Sequence, residues 1–149
     1  MVLLINVMRL SHVILGEILY YDPDFEKQVD KLLDQGGKHL GSGDYGSAYL
    51  LNGRVYKVTT DEIELEHAQL LKGKKTNNFA RIYDVEVINP KLGIIQMEVL
   101  GEFRGNIPEE WIDNVEREAQ QHGIDPDELD IRPSNVMVNQ KKHLKLVDI

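Results

Sequence analysis

The chain has 149 residues, 42% of them hydrophobic, which is enough for one domain with a real core and too few to promise two. Its 17 Lys and Arg against 25 Asp and Glu leave a formal charge of -8, which argues against a nucleic-acid partner because phosphate backbones are bound through clustered cations. No cysteine is present, so disulfides, thiolate metal sites and a cysteine nucleophile are excluded.

The opening MVLLINVM is apolar, but Asn6 and Arg9 break the run, and neither a basic leader nor a small-residue cleavage site accompanies it, so no secretory signal is expected. No stretch approaches the roughly 18 uninterrupted apolar residues of a membrane helix, so the expectation is a cytoplasmic protein without a membrane partner. Leu10, Val13, Ile14, Ile18 and Tyr21 recur at helical spacing, although the first eight residues read equally as a strand. YDPDFEKQVDKLLDQGG predicts a helix capped by Asp22, with Pro23 in its first position. Its apolar face is Phe25, Val29, Leu32 and Leu33, and Gly36 and Gly37 stop it.

From Lys38 the apolar period changes to two, and Asn52-Gly53 between two alternating runs predicts a two-residue hairpin turn. DEIELEHAQLLKG reads as a helix with a capping box of Asp61 and Glu64 and an apolar face of Ile63, His67, Leu70 and Leu71. ARIYDVEVI and GIIQMEVL read as strands around a turn at Asn89-Pro90-Lys91, and IPEEWIDNVEREAQQHGI as an amphipathic helix with Trp111, Ile112, Val115 and Ala119 inward and Gly123 as its stop. VMV and HLKLVDI are two short strands around the polar NQKK. No repeat or flexible linker divides the chain; the most plausible boundary falls near residues 101–106, where strands give way to helix.

The stretch GSGDYGSAYLLNGRVYKV carries three glycines in G-x-G-x-x-G spacing and then Lys57. A dinucleotide fold sets such glycines between a strand and a helix, and a Walker A loop puts its lysine directly after the last glycine; neither holds here. What remains is a hairpin flap whose backbone N–H groups can approach phosphate oxygens without Cβ obstruction, with Lys57 on the returning strand aimed at the same phosphates. A glycine-rich hairpin with a lysine nearby is also an ordinary surface turn. The far end of the sequence, LDIRPSNVMVNQKKHLKLVDI, places Asp130, Asn135 and Asp148 around a short hairpin, two carboxylates and an amide oxygen of the hard kind Mg2+ prefers. The five histidines are scattered and show no metal-ligand spacing.

Taken in order, these motifs resemble the protein-kinase fold. GSGDYGSA looks like its glycine-rich loop, RVYK like the strand bearing the phosphate-pairing lysine, QMEVLGE like the hinge strand that receives adenine, DIRPSN like the catalytic loop, and LKLVDI like the strand ending in a metal-binding Asp. The resemblance implies an α+β fold: an antiparallel N-lobe sheet with one helix over residues 38–101, a much reduced C-lobe of one helix and the catalytic-loop hairpin over 102–149, and a helical extension over 1–37. It implies ATP and Mg2+ as cofactors, bound by Gly41, Ser42, Gly43, Gly46 and Lys57. Met97 would stand at the back of the adenine pocket, with the backbone of Glu98 and Val99 on the base. Glu66 would hold Lys57, with Glu62 and Glu64 as alternatives; all three also read as a solvated acidic face. Asp130 would orient or deprotonate the acceptor hydroxyl, Arg132 would steady the γ-phosphate, and Asn135 and Asp148 would hold the metal.

The sequence departs from that pattern where Glu128-Leu129-Asp130 replaces H-R-D, and no D-F-G glycine, activation loop or A-P-E follows Asp148. Control by activation-loop phosphorylation is therefore not expected. The expected activity is transfer of the γ-phosphate of ATP to a hydroxyl of a protein or small-molecule acceptor. A pseudokinase that only binds is the alternative, and adenylyl transfer is a minor third reading. So reduced a kinase suits a virus or phage, acting in host cytoplasm. The Ile149 carboxylate is expected to join the metal site or repel ATP, and the helices before Gly36 to replace missing C-terminal structure or form a homodimer.

Overall fold

A computed structural model of the chain describes residues 23–148. The segment with helical spacing at residues 10–21, the cap expected from Asp22 and the Ile149 carboxylate lie outside the described residues.

Helix α1 (Pro23–Asp34) buries Val29 and Leu32, with Phe25 packed beside them. Leu33, expected on the same face, is 40% exposed. A glycine at positive φ (Gly36, 96°) ends the helix, and the Gly37 amide returns to the Leu32 carbonyl at 2.8 Å. Five strands follow: β1 (Lys38–Ser42), β2 (Gly46–Leu51), β3 (Arg54–Thr59), β4 (Ile82–Asn89) and β5 (Leu92–Met97). They form one sheet in the order β1-β2-β3-β5-β4, every neighbouring pair antiparallel. Asn52 (φ 52°) and Gly53 (φ 77°) turn β2 into β3, both at the positive φ that a type I′ hairpin requires.

Alternation along the strands gives the sheet two faces. Tyr49, Leu51, Val58, Leu92 and Ile94 point one way and are covered by α1, so the apolar face of that helix is spent on its own sheet. Val55, Ile95 and Met97 point the other way, toward helix α2 (Glu62–Leu71). Asp61 caps α2 by accepting from the amides of Ile63 (3.0 Å) and Glu64 (3.2 Å). The helix is rotated by about one residue from the face read in the sequence. Leu65, Ala68 and Leu71 are buried, whereas Ile63 and Leu70 are 47% and 38% exposed.

Beyond β5 a second sheet of β6 (Gly101–Glu102), β7 (Val136–Val138) and β8 (Leu144–Leu146) runs in the order β6-β7-β8. Helix α3 (Glu109–Gln121) packs Trp111, Val115 and Ala119 into the cluster that also holds Leu65, Met97 and Leu146, and Gly123 at φ 79° stops it. Glu118 of α3 accepts from the amides of Asn77 and Asn78, both at 2.8 Å, and the Leu146 amide donates to the Asn78 carbonyl at 2.8 Å. These bonds stitch α3 and β8 to the segment before β4, which brings Asp148 under the first sheet. Among the described residues no helix is long and apolar enough to cross a membrane.

Candidate active site

Lys57 lies on β3 opposite Ala48 of β2 and Ile95 of β5, so alternation aims its side chain at the face covered by α2. Its Nζ is 2.5 Å from Oε2 of Glu64 and 2.6 Å from Oδ1 of Asp148. The Glu64 side chain is 2% exposed and that of Asp148 47%. Glu66, expected as the partner of Lys57, is exposed instead. The reason is the phase of α2: Glu64 shares the buried stripe of Ala68 and Leu71, at i+4 and i+7, while residue 66 points to solvent. Glu64 is the third residue after the Asp61 cap, and its carboxylate goes to Lys57 rather than serving a capping box.

Asp130, Arg132 and Asn135 sit around a short 3-10 turn, Pro133–Asn135, that leads into β7. Arg132 forks onto Asp130, with Nε to Oδ1 at 2.8 Å and a second nitrogen to Oδ2 at 2.5 Å. This arginine, expected on a γ-phosphate, holds the neighbouring carboxylate in the structure. The Asn135 side chain, buried, donates to the Asp130 carbonyl at 2.9 Å, which leaves Oδ1 as the atom of that amide that can serve a cation. The Asn135 carbonyl in turn accepts from the Val147 amide at 3.0 Å, tying the turn to the stretch that carries Asp148.

One cleft of about 530 Å³ is lined by the glycine-loop residues, Lys57, Glu64, Asp130, Arg132, Asn135 and Asp148. The loop caps this cleft and is moored at its tip: the Thr60 amide (2.8 Å) and hydroxyl (3.0 Å) both donate to the Tyr45 carbonyl. Gly46 is required by the fold itself, because a Cβ there would stand 2.1 Å from the Val58 carbonyl oxygen. At Gly41 and Gly43 a Cβ would meet nothing within 4 Å. Met97, Glu98 and Val99 do not line this cleft. Met97 is buried in the core at the end of β5, Val99 is half exposed, and the Glu98 amide donates to the Arg81 carbonyl at 3.0 Å.

Electrostatics couple the three groups around Lys57. Burial pulls the ammonium down, but Glu64 and Asp148 more than reverse this, and its pKa ends above the usual lysine value. Burial pushes the Glu64 carboxyl up to about 7, against the pull of Lys57 and with Asp148 hydrogen-bonded beside it. Burial also works against the Asp148 anion, yet the bond from Glu64 and the charge of Lys57 hold its pKa below the ordinary carboxylate range. Between pH 4.5 and about 7 the folded protein keeps a proton on Glu64 that the unfolded chain has released, so stability falls as pH rises through that window. Denaturant titrations at pH 5 and pH 7.5 will show a loss on the order of 2 to 3 kcal/mol from this group, and Glu64→Gln will flatten it.

No protein-family profile matches the sequence, and no curated protein matches it. Among solved structures, the crystal structure of a mutant PknI kinase domain from Mycobacterium tuberculosis matches with a TM-score of 0.54 at 16% sequence identity, over 74% of this chain and 57% of that one. The chain thus spans a little over half the length of that domain. At this identity the match concerns the fold, an α+β arrangement of antiparallel sheet and helices like that of a kinase.

Proposed function

With a kinase-like fold as premise, we propose that the chain is an ATP- and Mg2+-dependent phosphotransferase that moves the γ-phosphate to a hydroxyl, as a small serine/threonine-type protein kinase or autokinase. The observation that carries this reading is convergence: Lys57 and Asp148, 91 positions apart, meet in one cleft with Asp130 and Asn135 under a glycine-rich flap. A fold that needed these residues only for packing would gain nothing from gathering charged groups, because each costs desolvation.

The donor set suits Mg2+. Asn135 and Asp148 offer hard oxygens, and among the described residues no trio of His, Asp or Glu closes into a cage that would bind a metal without help from phosphates. Asn135 and Asp148 would hold the ion, which when bound would supply positive charge against the negative charge that develops during transfer. Lys57 would hold the α/β-phosphates while Glu64 keeps it from swinging away. Asp130 would take up or orient the acceptor hydroxyl, and Arg132, two residues on, would keep that carboxylate from rotating. Gly41 and Gly43, for which the protein's own packing gives no reason, would let phosphate oxygens reach the flap's amides.

The cleft is lined by six carboxylates (Asp44, Asp61, Glu64, Glu128, Asp130 and Asp148) against the two cations Lys57 and Arg132, so a free nucleotide tetra-anion meets a repulsive field. ATP will therefore raise the melting temperature in Mg2+ and fail to do so in EDTA. The decisive assay follows γ-labelled ATP in Mg2+, reading both label on protein and phosphate release, for the wild type beside Asp130→Ala and Asp148→Ala. Transfer lost in both variants is expected. Nucleotide stabilisation without transfer would point to a pseudokinase, and no stabilisation at all would overturn the reading.

A further inference from the structure

Helix α2 buries two polar residues one turn apart, Glu64 (1% exposed) and His67 (3%). Glu64 serves Lys57 and Asp148. Nε2 of His67 lies 3.9 Å from Oε1 of Glu128, beyond hydrogen-bond reach but within that of an ion pair. Glu128 closes a 3-10 turn, Pro126–Glu128, whose next residue, Leu129, packs against the main core cluster, and the residue after that is Asp130. A buried histidine on a core-facing helix is most simply a packing residue. Against that simple account, its carboxylate partner lies two residues from the group placed at the acceptor hydroxyl and itself lines the cleft.

We propose that His67 and Glu128 form a positioning pair that sets Asp130 relative to Lys57, so that α2 is the single gauge for both sides of the reaction. The proposal rests on the cleft being a phosphotransfer site. On its downstream side Asp130 is held by the Asn135 amide and the Arg132 fork. On its upstream side the holds are Leu129 in the core, the Leu129 amide on the Pro126 carbonyl at 3.1 Å, and the charge of Glu128 facing His67. Because both buried polar residues project from one rigid helix, a shift of α2 moves the lysine and the aspartate together. Neither residue would touch the reacting atoms.

The test uses Glu128, whose side chain is 42% exposed, so that its replacement leaves the fold standing where a change at buried His67 could unfold it. In the full chain, Glu128→Gln and Glu128→Leu are expected to lower kcat about tenfold or more while the KM for ATP stays within about twofold, the signature of a misplaced acceptor-side group. A merely structural role would lower the melting temperature and leave the turnover of the folded fraction unchanged. Hydrogen–deuterium exchange on the same proteins reads the pair without any turnover: amides 129–132 should exchange faster in both variants, with residues 62–71 unaltered. Unchanged exchange in 129–132, or unchanged kcat in an active enzyme, overturns the proposal. A wild type that transfers no phosphate while the exchange difference is present would sink the phosphotransfer reading and leave the tether in place.

Discussion

Lys57→Met will destabilise the protein by about 3 kcal/mol at pH 8, because it strands the Glu64 carboxylate in a site where only 2% of its side chain meets water. The loss is bounded by protonation: with its cation gone, the Glu64 pKa rises above its wild-type value of about 7, and each unit of pH between the two values recovers roughly 1.4 kcal/mol, while below pH 7 the wild type gains at the same rate. The deficit will thus be smaller at pH 6 than at pH 8, with the change complete near pH 7, whereas an ordinary cavity mutation costs the same at both. Guanidinium titrations at the two pH values check this, and the double variant Lys57→Met, Glu64→Leu should recover most of the loss at pH 8. A deficit that does not vary with pH would mean that Asp148 and solvent, not Glu64, carry the partner charge. The same substitution should remove the ATP-dependent rise in melting temperature.

Gly46→Ala will be the most damaging of the glycine-loop substitutions to stability and the least informative about ligand. Its methyl group would lie 2.1 Å from the Val58 carbonyl oxygen, and since that atom is backbone, the β2–β3 pairing must open to admit it. Overpacking of this kind costs more than about 2 kcal/mol, equivalent to a fall in melting temperature on the order of 6 °C for a chain of this size. Gly43→Ala has open space around it and should leave the melting temperature within about 1 °C while weakening ATP binding. Thermal melts with and without nucleotide separate the two effects. Equal destabilisation at both positions would refute this division of labour within one motif.

That division was not legible in the sequence, where the three glycines look equivalent. Spacing reveals a loop; only the register of Gly46 against Thr59 reveals which glycine the sheet itself demands. The hairpin at Asn52-Gly53 was legible because two adjacent positive φ values leave so few residue choices. The α2 helix was legible in extent, through Asp61 and Gly73, but not in phase. Ile63, Leu65, Leu70 and Leu71 surround the helix, so apolar periodicity admits two faces one residue apart, and only one of them puts Glu64 rather than Glu66 beside Lys57. The buried Glu64, Ala68, Leu71 stripe could have been preferred on one ground, that a helix packed against a lysine-bearing strand gains by burying a carboxylate. The Arg132–Asp130 fork and the His67–Glu128 contact were not foreseen, since the first depends on rotamers and the second on how a distant turn folds back. Lys57, Asp130, Asn135 and Asp148 line one cleft, a grouping the order of motifs leads one to expect, whereas the residues that aim their side chains are set by packing.

Thr60 immediately follows β3 and directly precedes the cap of α2, and it holds the tip of the glycine flap through two bonds to one carbonyl. The flap is consequently a lever with its free end tied down, and it cannot lift without either breaking that tie or dragging the start of α2 along. For the nucleotide proposed for this cleft, that tie would act as a latch of two hydrogen bonds, which a change at Thr60 would loosen without altering any group proposed to touch the ligand.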